Sequence, residues 1–201
     1  MNEQNTNEEG LTKKERIEQK RAAKERERTR HIRAKQTKKV LIWLIVLAVI
    51  AGLIYWGIIA SKRAEENRPG ESVSVQGADH INVGDKHEPY NTNPPTSGAH
   101  GPAPQFGVYQ GEIPDENVVH ALEHGGIWIS YKNLNKEEIT KLEGIARQFP
   151  NRTIMTPRAA NDSTIAVASW GRLMKLDTVD EEAIINYIQK NTNRSPEQLA
   201  R

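Results

Sequence analysis

The sequence contains no cysteine. Thiol catalysis, disulfide frameworks and zinc fingers are therefore excluded, and a metal site would have to be built from imidazole and carboxylate. Aromatic residues are scarce, at 5%. The basic N-terminal stretch has none, so nothing there matches a nucleic-acid motif, and no nucleic-acid partner is expected. A marked excess of either charge is also missing, the formal net charge being +2. That small value averages three unlike parts. Residues 1–39 hold 13 basic and 7 acidic side chains, residues 40–60 hold no charge, and residues 61–201 hold 15 basic and 19 acidic. One uniform soluble domain is excluded by this division.

The charge-free run reads VLIWLIVLAVIAGLIYWGIIA, from Val40 to Ala60. As a helix its 21 residues span roughly 31 Å, the thickness of a bilayer's hydrocarbon core. Trp43 stands near one end and Tyr55 and Trp56 near the other, where amphipathic rings favour the interface. The run is too long for a signal-peptide core and leads straight into Ser61-Lys62-Arg63, so an uncleaved single span is expected. Arg33, Lys35, Lys38 and Lys39 precede it, against Lys62, Arg63 and Arg68 after it. The larger basic count places the N-terminus in the cytoplasm and the C-terminal part outside the membrane. The bilayer is the first expected partner. The arm at 1–39, with Thr12 and Glu15 as a candidate capping box, is read as largely disordered or helical and as a topology determinant.

Residues 61–77 read as a polar stalk, 78–190 as one domain and 191–201 as a polar tail, with Ser195-Pro196-Glu197 as the start of a brief helix. The second half of the domain is periodic. Ile127–Tyr131 predicts a strand, and Asn135 with Glu138 predicts a capped helix burying Ile139, Leu142, Ile145, Ala146 and Phe149. Strands are expected at Thr153–Thr156 and Thr164–Trp170, the latter resumed at Leu173–Leu176. Thr178 with Glu181 then predicts the cap of a last helix. The fold class is α+β: a small mixed sheet with a strand-helix-strand-strand-helix core, thioredoxin-like or ferredoxin-like in layout.

The first half holds five of the six histidines, His80, His87, His100, His120 and His124, and six of the ten prolines. The run HEPYNTNPPTSGAHGPAP excludes a helix or a central strand, and a long ordered or flexible loop is expected. Pro114-Asp115-Glu116 opens a short helix and Gly125-Gly126 ends it. On that helix Val118, Val119, Ala121 and Leu122 share one face. Glu116, His120 and His124 form an i, i+4, i+8 stripe on the other, with Glu123 beside them. Imidazoles at i and i+4 can reach one metal ion, and His80, His87 or His100 from the loop could complete a shell for copper or zinc. The bland alternative is that each histidine bonds loop carbonyls left free by the prolines. His120-Ala121-Leu122-Glu123-His124 also fits the H-x-x-E-H pattern of a metallohydrolase, with Glu123 as the candidate base. A third ligand is then missing, Glu182 and Glu197 being the only downstream guesses.

Four blocks carry a family resemblance: His87-Glu88-Pro89-Tyr90; Pro94-Pro95-Thr96-Ser97-Gly98 with His100; Gly107-Val108-Tyr109; and Val119 to Gly126, VHALEHGG. With Ala168-Ser169-Trp170-Gly171-Arg172 they resemble the bacterial family catalogued as domain of unknown function 3105, over about residues 78–190. Many relatives have Pro where Ala99 stands. The resemblance implies a membrane-anchored extracytoplasmic domain in a bacterium and brings no activity. Three functions are therefore weighed: a transition-metal module; a non-catalytic interaction domain meeting other envelope proteins; and, third, a hydrolase.

Overall fold

The computed structural model describes residues 13–200, so the cap expected at Thr12 lies outside the described residues. The chain divides into two units, Met1–Ala64 and Glu65–Arg201. Helix α1 runs through Lys13–Glu66, 54 residues without a buried side chain, or about 80 Å of helix. It takes in the whole apolar run and is long and apolar enough to cross a membrane. The arm is thus helical from Lys13 onward, although its few apolar residues give it no face to bury.

The second unit contains β1 (Glu71–Ser72), β2 (Gly107–Val108), α2 (Asp115–Glu123), β3 (Ile127–Tyr131), α3 (Lys136–Arg147), β4 (Thr153–Pro157), β5 (Ile165–Ser169), β6 (Arg172–Leu176) and α4 (Glu181–Asn191). The six strands form one mixed sheet in the order β1-β6-β5-β3-β4-β2, and the class is α+β as expected. β3 pairs parallel with β4 from Ile127↔Thr153 to Tyr131↔Pro157, and antiparallel with β5. A strand–helix–strand unit whose strands lie side by side is not split, which departs from the ferredoxin-like layout.

β3 is buried on both faces and its side chains alternate between two cores. Ile127, Ile129 and Tyr131 face α3 and α4, joining Leu142, Ile145, Met155, Ile184 and Tyr187. Trp128 faces the other way, with Val118, Val119 and Leu122 of α2 and with Ile154, Ala168, Trp170 and Leu173. Helix α2 and the Pro-rich loop therefore share one side of the sheet.

Capping is borne out for α3: Asn135 accepts from the Glu138 N–H, and the Glu138 carboxylate accepts from the Asn135 N–H. For α4 the cap is Asp180, not Thr178. Its carboxylate accepts from the Ala183 N–H at 3.0 Å, the bond a residue directly preceding the first turn can make.

The stretch 61–77 carries regular structure. Its first residues continue α1, and β1 pairs antiparallel with β6. Arg172 draws this segment in by donating to the carbonyls of Arg68 and Gly70 at 2.9 and 2.8 Å. The tail after residue 191 is hydrogen-bonded to the rest of the domain. No helix starts at Ser195, because the Glu197, Leu199 and Ala200 N–H groups are bonded instead to carbonyls at the end of α2.

The candidate metal centre

Helix α2 begins after Pro114, with Asp115 and Glu116 in its first turn. Its apolar residues are buried against Trp128 and Trp170, so the opposite face is left for His120. The two glycines at its end have separate reasons. Gly125 has φ +88, and a Cβ there would meet Asn193 Oδ1 at 2.3 Å. A Cβ on Gly126 would meet Phe106 at 2.5 Å and the Ala121 carbonyl oxygen at 2.8 Å. The chain must turn in the left-handed region and pass close to its neighbours, which only glycine permits.

In the Pro-rich loop Pro94-Pro95-Thr96-Ser97-Gly98 is buried throughout, beginning with a cis bond at Asn93–Pro94. Its polar groups have partners. Thr96 O accepts from Gly171 N–H at 3.1 Å, and Ser97 Oγ from Gln76 N–H at 3.0 Å. Tyr90 Oη donates to Ala99 O at 2.6 Å. Gly98, at φ +119, lies against the Tyr90 ring, and its N–H donates to Gly77 O. The loop then delivers His100, whose backbone makes a parallel bridge with His80. Arg158 fixes the loop to α2: it donates to both Asp115 carboxylate oxygens, at 2.8 and 2.7 Å, and to Asn93 Oδ1.

These elements bring His80, His100, His120 and Glu123 together, with one donor atom from each lying within 4.8 Å of all the others. Among the described residues this is the one such group. The ring centroids of His80, His100 and His120 are 4.5 to 4.9 Å apart, and Trp170 lies edge-on to His100 at 6.3 Å. Two backbone carbonyls set the tautomers. His100 Nδ1 donates to Gly98 O at 2.8 Å, and His120 Nδ1 donates to Gly101 O. A neutral imidazole that donates from Nδ1 carries its lone pair on Nε2, and carbonyl partners of this kind orient metal-ligating histidines.

The Nε2 atom of His100 lies beside another buried polar atom. It lies 3.0 Å from Glu123 Oε2, with 0% and 7% of the two side chains exposed, yet neither atom has a hydrogen-bond partner. Burial is the largest influence on the His100 ring and pushes its pKa down; His120 and His80 push the same way. The Gly98 carbonyl and the Glu123 carboxylate oppose the shift without reversing it. A neutral ring beside a carboxylate, close but not hydrogen-bonded to it, leaves two buried polar atoms unsatisfied, which a cation bound to both would resolve. Imidazole nitrogen and carboxylate oxygen are ligands for zinc or copper(II), and the residues fit such an ion.

The other expected residues make different contacts. His124 Nε2 is 3.1 Å from His120 Nε2 and 3.0 Å from Glu197 Oε2, so it adjoins the four without being one of them. His87 and Glu116 face each other, His87 Nε2 to Glu116 Oε1 being 3.9 Å, and His87 Nδ1 donates to Glu88 O. The expected stripe is thus a row whose members meet different partners, because neighbouring turns of α2 face different parts of the loop and tail. Glu123, the candidate base beside the stripe, is buried and lies 3.0 Å from His100 Nε2. The H-x-x-E-H pattern set it beside His120 and His124, but no sequence signal marked His100 as its neighbour, since that contact depends on where the loop sets His100.

No curated protein and no solved structure matches the chain. A family model does match, over residues 82–201. That span takes in the loop, α2 and the docked tail, and it reaches past residue 190, where the sequence blocks stop. The chain belongs to the family described as "Protein of unknown function (DUF3105)".

Proposed function

We propose that the protein is a single-pass membrane protein of a bacterial cell. Its C-terminal domain, held outside the membrane, binds zinc or copper(II) through His80, His100, His120 and Glu123. The observation that carries this reading is the pair of buried, partnerless acceptors, His100 Nε2 and Glu123 Oε2, 3.0 Å apart. A structural wrap whose histidines merely bonded backbone would leave neither atom without a donor. With Nδ1 of His100 and His120 tied to carbonyls, their Nε2 atoms carry the lone pairs that can ligate. No thiolate is available, which favours a divalent ion over copper(I).

The domain's role is then to hold or sequester a metal ion at the cell surface; no substrate step is assigned. The basic arm is the cytoplasmic part and the bilayer its partner, in line with the flanking charges. The competing function is a non-catalytic domain that contacts other envelope proteins.

Titration of the full chain in detergent, first stripped with chelator, separates the two. Wild type is expected to take up one tight equivalent of zinc or copper(II). His100→Ala and the double variant His100→Ala/His120→Ala should lose at least the roughly 10–100-fold that removal of even an outer-shell partner costs. If wild type binds neither ion more tightly than the double variant, the metal reading is wrong and the interaction domain takes its place.

A further inference from the structure

After α4 the chain returns to the C-terminal end of α2. Asn193 donates its N–H to Gly125 O at 3.0 Å, Glu197 to Glu123 O at 3.2 Å, and Leu199 and Ala200 both to His124 O at 3.0 Å. The Asn193 side chain closes the segment, donating to Ala200 O at 2.7 Å and accepting from Ala200 N–H at 3.1 Å. The last carbonyls of a helix have no partner within it; here the tail supplies them. It is therefore fixed to the element that carries His120, Glu123 and His124, and the position of Glu197 follows from that docking.

Glu197 Oε2 lies 3.0 Å from His124 Nε2, and His124 Nε2 lies 3.1 Å from His120 Nε2. Because Nδ1 of His120 is taken by Gly101 O, the same Nε2 must serve the inner group. The donors form a graded chain. Glu197 is 52% exposed and His124 27%, whereas His100 and Glu123 at the inner end are buried.

We propose that Glu197 and His124 form an outer divalent-cation position, from which an ion passes by way of His120 Nε2 into the inner site. The inference rests on reading the inner cluster as a cation site. A hydrated divalent ion meets the exposed carboxylate first, where charge attraction raises its local concentration. The proton that His124 Nε2 shares with Glu197 Oε2 and His120 Nε2 moves through water to its Nδ1, and the ion, held by Glu197 Oε2 and the vacated His124 Nε2, gains a bond to His120 Nε2. Bonds to His100 Nε2 and Glu123 Oε2 then replace those to Glu197 and His124. Waters leave as ligands replace them, and the oxidation state does not change. The shared His120 keeps the ion ligated throughout the exchange.

Stopped-flow mixing of the chelator-stripped full chain with cobalt(II), followed by its d–d absorption, tests this. Glu197→Gln and His124→Ala should load about tenfold or more slowly than wild type, the lower end of what electrostatic guidance contributes to association. Release to excess chelator should slow in the same proportion, since entry and exit share the path. Glu181→Gln, removing an exposed carboxylate of α4, controls for net charge. Loading rates in both variants equal to wild type and the control overturn the proposal and point to entry past His80. A changed final spectrum in His124→Ala also overturns it, by showing that His124 is a permanent ligand. If wild type gives no cobalt spectrum, the inner site itself is wrong and the outer position falls with it. If cobalt binding depends on His100 but not on the kinetics of Glu197, only the outer position fails.

Discussion

Glu123 is the residue on which the metal reading turns. Replacing its carboxylate with an amide of the same shape puts an N–H donor where an acceptor stood, opposite the lone pair of His100. In the metal-free chain Glu123→Gln should therefore be stabilising, by up to about 1–3 kcal/mol, the cost of a buried unsatisfied group. The rise in melting temperature on adding zinc should disappear in the same variant. Differential scanning calorimetry with and without chelator measures both. A lower melting temperature for the stripped variant would mean that Glu123 already accepts a proton from His100. The His100 ring supplies a second check. Its pKa is lowered in the folded chain from an ordinary value of 6.5, so the unfolded chain binds the proton more readily. Stability contributed by the neutral ring is present above about pH 6.5 and lost as pH falls through the lowered folded value. A melting series from pH 8 to 5 in chelator should show that loss, and His100→Gln should flatten it.

Among the elements, two non-repetitive segments do more to build the site than any strand. Gly98-Ala99-His100-Gly101 supplies one ligand and both carbonyls that set the tautomers of His100 and His120. The tail completes the end of α2. Gly125 is the point where helix and tail meet, and its φ of +88 and 2.3 Å clearance to Asn193 leave no room for a methyl group. Gly125→Ala should cost about 1–3 kcal/mol through backbone strain alone. Hydrogen exchange should show the N–H groups of Asn193, Glu197, Leu199 and Ala200 losing protection together. Loss confined to α2, with the tail still protected, would contradict the docking. A substitution that loosens the tail also moves Glu197 from His124, so folding and metal loading are coupled at this glycine.

For the whole molecule, the clearest expectation concerns sidedness. With no native cysteine, single-cysteine variants report location without background. Asn186→Cys on α4 should react with a membrane-impermeant maleimide in intact cells, and Gln19→Cys in the arm only after lysis. The opposite pattern would reverse the orientation inferred from Lys38, Lys39 and their neighbours. Such features were legible in the sequence because they are local: the uncharged run, the Asn135–Glu138 cap, and the strand over Ile127–Tyr131. Contacts between distant residues were not. Nothing near Glu123 in the sequence shows that His100 will be set against it, and a polar tail gives no sign that its amides will cap α2. Two-residue strands such as β1 and β2 have too few side chains for any periodicity to register. His120 and His124 were legible as neighbours, since i and i+4 share a helix face. That they reach toward different partners follows only from the placement of loop and tail.

The bond from the Ala200 N–H to His124 O has a practical consequence for handling the protein. A polyhistidine tag fused directly after this segment would add imidazoles near the rings whose metal affinity is to be measured. Its imidazoles would compete for the ion at high local concentration, and an immobilised-nickel column would offer the protein a foreign metal during purification. Preparations carrying such a tag should show excess bound metal that vanishes on tag removal. An affinity tag without histidine, placed ahead of the arm, keeps the measurement clean.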